Sequence, residues 1–131
     1  MKKLIFIICI TIVTSINSQL VAQGMPSAYL IISVNEMHID QMGPYFESTP
    51  PILGKYVDNV ETLANAVEED IVTLEGEWNF PGRILIEEFS SMEELKAYWY
   101  SDEYQAAILL REGLVEMNFA IAIEGAAMEM L

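Results

Sequence analysis

The chain has 131 residues, 53% of them apolar, and sets six basic residues against 20 acidic ones for a net charge of −14. That length and apolar content suit one domain with its own core. An acidic surface of this strength repels phosphate backbones and anionic headgroups, which excludes nucleic acid as a partner.

Lys2 and Lys3 precede an apolar run from Leu4 to Ile10, continued by Thr11-Ile12-Val13, and a polar stretch then leads to small residues near Ala22. This is the layout of a secretory signal peptide. The run is shorter than the ~20 apolar residues a spanning helix needs, and an uncleaved signal anchor is the alternative. We therefore expect residues 1–22 to be a leader and residues 23–131 to be a single exported domain, periplasmic or extracellular, with no stable membrane association after cleavage. Cys9, the one cysteine, lies in the leader and follows Ile8, where a lipoprotein signal requires a small residue. The mature domain thus has neither lipid anchor nor disulfide. It keeps Lys55, Lys96, Arg83 and Arg111 against all 20 acidic residues, a net charge of −16.

Tyr29 to Val34 reads as the first strand, apolar on both faces. Asp40 to Ser48 reads as a short helix interrupted by Pro50 and Pro51, with Thr49 capping a second helical piece that ends near Tyr56. In Val57 to Val67 a helical stripe and a β-branched strand fit equally well. Glu68-Glu69-Asp70 lacks the alternating ligands and central glycine of an EF-hand and reads as a solvated loop, followed by a short extended piece, Ile71 to Leu74. Ile84-Leu85-Ile86 and Phe89 form a second two-sided strand, and Ser91-Met92-Glu93-Glu94 is a capping box that opens a helix with Met92, Leu95 and Trp99 inside. Ser101 recaps a piece from Asp102 to Glu112 that Gly113 ends, and Phe119 to Glu124 is the last strand.

The turn Leu74-Glu75-Gly76-Glu77-Trp78, then Pro81-Gly82, the strand Arg83 to Phe89, and Trp99-Tyr100-Ser101-Asp102-Glu103-Tyr104-Gln105-Ala106 leading to Ile108-Leu109-Leu110-Arg111 carry a family likeness. In that order they resemble domain-of-unknown-function family 1330, over roughly Ala28 to Gly125. The resemblance favours a strand at Val57 to Val67 and implies an α+β, ferredoxin-like β-α-β-β-α-β domain that forms a dimeric α/β barrel; it brings no general activity. The residues point to a homodimer independently. Two helices cover one face of a four-stranded sheet, and two-sided strands need a cover on the other.

His38, the one histidine, falls between the first strand and first helix, where the resembling family usually has an Asp before a Pro. It is either an exposed loop residue or a catalytic proton carrier. Tyr45, Trp78, Trp99 and Tyr104 are either core and dimer contacts or the walls of a substrate pocket for a planar organic ligand. Tyr104 and Arg111, seven apart, share a helical stripe. Arg111 matches an arginine that recurs in the family, and its expected partner is a protein carboxylate or, second, a substrate anion. No metal-ligand spacing, Ser-His-Asp order, glycine-rich phosphate loop or dinucleotide fingerprint is present, so no metal or cofactor is implied. Two functions fit: a cofactor-independent enzyme or binding protein for a small aromatic or carboxylate metabolite, or a non-catalytic structural or protein-interaction dimer.

Overall fold

The computed structural model describes residues 25–127, so the leader assigned to residues 1–22, with Cys9, and the tail methionines Met128 and Met130 lie outside the described residues. Strands β1 (Ala28–Met37), β2 (Val60–Ala66), β3 (Arg83–Phe89) and β4 (Val115–Glu124) form one sheet in the order β2-β3-β1-β4. Every neighbouring pair is antiparallel. With helices α1 (Gly43–Tyr56), α2 (Met92–Trp99) and α3 (Asp102–Ile108), the order is that of an α+β, ferredoxin-like domain whose second helix is split. The ambiguous segment is a strand, paired to β3 from Val60↔Phe89 to Ala66↔Ile84. Within one chain the sheet stays open, with β2 and β4 as its edges.

The helix expected in two pieces is one. A 3-10 turn at Ile39–Gln41 leads into α1, which runs through Pro50 and Pro51 without restarting at Thr49. Both prolines and the residues four before them, Phe46 and Glu47, are exposed, so water can take the carbonyls that lose amide partners. The second helical pair behaves differently. Ser91 Oγ accepts the Glu94 N–H at 3.2 Å, and Ser101 Oγ accepts the Tyr104 N–H at 3.1 Å. Only half of the expected capping box forms, because Glu94 Oε2 is buried without a partner and makes no return bond. Tyr98, rather than Trp99, joins Leu95 among the buried residues of α2.

Helices and sheet enclose a core of Ala28, Leu30, Val57, Phe89, Leu95, Tyr98, Tyr104 and Ala107. The opposite sheet face carries Ile31, Ile84 and Ile86 beside Ile121 and Ile123, which are 45% and 46% exposed. A β-bulge tunes β4. Val34 pairs with Met117 while Ser33 pairs with Phe119, so the extra residue, Asn118, sends Met117 and Phe119 to opposite faces. Asn118 Nδ2 donates to Ser33 Oγ at 3.0 Å and to the Pro81 carbonyl at 3.3 Å, fixing the bulge against the approach to β3. Gly82 is required there. Its φ is 94°, and a Cβ would overlap the Val34 and Asn35 carbonyl oxygens.

Candidate functional site

The core ends before the sheet does. Toward the C-terminal end of β1 and the N-terminal ends of β3 and β4, helices and sheet diverge around a partly open cavity of about 250 Å3. Its floor is Ile32, Val34, Leu85 and Met117, where the bulge has turned Met117 inward. Met37, Ile39, Met42 and Phe46 close one side. The polar groups are few: Tyr45 from α1, Tyr104 from α3, Arg111 from the 3-10 turn Leu109–Arg111, and Asn65 and Arg83 from the edge of the sheet.

The two tyrosines are joined at their hydroxyls, 3.0 Å apart, and either can donate. Burial raises both phenols above their ordinary range. For Tyr45 the neighbouring Tyr104 adds to the rise, and for Tyr104 the hydrogen bond to Tyr45 and the nearby Arg111 oppose it. Both therefore stay protonated near neutral pH and act as donors rather than bases. The Arg111 guanidinium lies over the Tyr45 ring, 5.6 Å from its centroid. Contrary to the expected ion pair, no protein carboxylate reaches Arg111 among the described residues, where the one ion pair joins Lys55 to Glu103. Arg111 Nε is buried without a partner. Arg83 differs, donating from Nη1 to Asn65 Oδ1.

Of the residues singled out in the sequence, the cavity brings together Tyr45, Tyr104 and Arg111. It leaves out three. Trp78 lies on the other face of the sheet, 5.2 Å from Phe80, whose ring is 5.2 Å from Phe119. Trp99 packs against Tyr104 at 5.2 Å but faces a smaller hollow beside β4. His38 is exposed and off the lining, its backbone N–H bonded to the Leu114 carbonyl at 2.9 Å, although Met37 and Ile39 on either side both line the cavity.

Glu87 escaped the sequence reading. It falls on the helix side of β3, between Leu85 and Phe89, and burial raises its carboxyl toward the neutral form. The parity of Arg83 to Phe89 is the signal that could have found it, since alternation puts Glu87 with Leu85 and Glu88 with Ile86. Among the described residues no group of three or more His, Cys, Asp or Glu side chains could hold a metal ion.

The fold is similar to that of a protein of unknown function from Rhodopseudomonas palustris, at 12% identity and a TM-score of 0.57 over 78% of this chain and 84% of that one. A methylated form of the same protein aligns at 10% identity and a TM-score of 0.54, over 80% and 84%. No curated protein matches the chain. The family described as "Domain of unknown function (DUF1330)" matches residues 27–126, most of the chain and every strand and helix above, and the protein belongs to it.

Proposed function

We propose that the protein is an exported homodimer that binds, and as an enzyme would convert, a small aromatic or carboxylate metabolite in this cavity without a cofactor. The observation that carries the reading is a cavity of about 250 Å3 with mainly apolar walls, which the Arg111 guanidinium and the Tyr45–Tyr104 hydroxyl pair line from the helix side and Asn65 and Arg83 from the sheet edge. Apolar walls around a few fixed donors are the usual composition of a small-molecule site. The leader at residues 1–22 supports export, and the exposed isoleucines of the open sheet face support pairing.

A thermal-shift screen of aromatic and carboxylate metabolites tests the reading. A ligand at about 100 times its dissociation constant stabilises by about 2.7 kcal/mol, and Met117→Trp, which fills the cavity, should abolish that shift. A screen with no shift, or one that Met117→Trp leaves intact, removes the cavity from the function. The second reading, an interaction dimer without a ligand, is favoured by the open apolar face alone. On that reading Met117→Trp changes nothing that binds.

A further inference from the structure

Resting on the cavity reading, we propose that the ligand is a monocarboxylic acid bound as its anion. Its carboxylate would meet the Arg111 guanidinium and the free hydroxyl proton of the Tyr45–Tyr104 pair, with the apolar body along Met37, Met42 and Met117.

Charge is the first argument. In a chain with 20 acidic residues, an arginine whose Nε is buried without a partner is an anomaly, because carboxylates to neutralise it are abundant. None does so among the described residues. Glu87, the acid on the helix side of β3, makes no ion pair with Arg111. A ligand carboxylate supplies the missing charge and matches the planar guanidinium with two parallel acceptors.

Donor count is the second. A pair of hydroxyls that bond each other uses one O–H and leaves the other free, and burial keeps both phenols protonated. The Arg111 end of the cavity therefore offers donors, and a neutral amide would set its own N–H groups against them. The third argument is polarity along the cavity. The other guanidinium on the lining, Arg83, gives one N–H to the neutral Asn65 at the sheet edge and keeps its charge, so both cations favour an anion over an amide while most of the remaining lining is apolar. An apolar cavity of about 150 Å3 holds benzene, so this one has room for a body of that size and a carboxylate.

The test uses protein made from the full-length sequence, leader included, in a secreting bacterial host. Benzoate, phenylacetate and hexanoate are each titrated by calorimetry against the corresponding primary amide at neutral pH. At least one acid should bind about tenfold or more tightly than its amide, and Arg111→Gln should erase that preference. Arg111→Lys, which keeps the charge and loses the fork, should reduce the preference without abolishing it. Amides that match or exceed their acids, or a preference that survives Arg111→Gln, overturn the proposal. In either case binding that remains sensitive to Met117→Trp leaves the cavity reading standing. If neither acids nor amides bind, the proposal falls, and the wider screen decides whether the cavity reading falls with it.

Discussion

Arg111 shows how one side chain can separate a structural role from a binding one. Removing one partner of a buried ion pair strands the other charge and costs about 3–5 kcal/mol. Arg111 has no such partner among the described residues, and its buried Nε already bears an unmade bond. Arg111→Met should therefore leave the ligand-free protein as stable as the parent or raise it by about 1 kcal/mol, read from urea unfolding midpoints. A loss of about 3 kcal/mol would mean a protein partner after all. Glu87 gives a pH-dependent counterpart. Its folded-state carboxyl sits above its unfolded value, so its charged form destabilises the fold. That load is fully present above the folded value and vanishes as pH falls below the unfolded value of about 4.3. Glu87→Gln should thus stabilise the protein at neutral pH, and the advantage should shrink on acidification and be gone below about pH 4. Urea midpoints across that range that moved in parallel would refute it.

Among the elements, the join between β1 and β3 rests on a backbone that tolerates no side chain. Gly82 has a φ of 94° and its missing Cβ would overlap two carbonyl oxygens of β1, whereas Gly76, at 80°, faces open space. Gly82→Ala should cost about 3 kcal/mol or more, because the strands must separate, and Gly76→Ala about 1 kcal/mol, from its backbone angle alone. Equal unfolding midpoints for the two variants would show that the contact yields. The sequence carried the Pro81-Gly82 turn but not its neighbours, since contact with β1 is a tertiary fact. The same distinction runs through the fold. β1, β3 and the caps at Ser91 and Ser101 were legible because alternation and capping are local. The continuity of α1 was not, because whether a proline breaks a helix depends on which side faces water. Nor was the position of Trp78, whose loop follows Phe80 and Phe119 onto the far face. Tyr104 and Arg111 were legible as a pair by helical spacing, and Tyr45 joined them only through folding.

At the scale of the whole molecule, one face of the sheet is a core and the other is unfinished. Phe89 and Leu30 are 1% and 4% exposed on the helix side, while Ile121 and Ile123 on the open side are 45% and 46% exposed. Monomeric proteins seldom leave a contiguous apolar patch of several hundred Å2 in water, and stable interfaces bury about 800 Å2 on each partner. An open face of one four-stranded sheet is of that order, and a second copy presents the same isoleucines to it. The strong negative charge opposes pairing where acidic groups come close: Glu61 and Glu88 share this face in the row of Tyr29 and Ile123, while Ile31, Ile84, Ile86 and Ile121 occupy the rows beside it. The purified protein should therefore be a dimer at micromolar concentration by light scattering. Ile121→Lys places a charge on the edge-strand side of the joined faces and should shift the population to monomer, with circular dichroism unchanged because the buried core residues are untouched. A parent protein that is already monomeric, or an Ile121→Lys protein that stays dimeric, would move the interface elsewhere. The cavity lies on the helix side of the same sheet, so a monomeric Ile121→Lys protein that still binds the screened ligand would show that the site is complete within one chain.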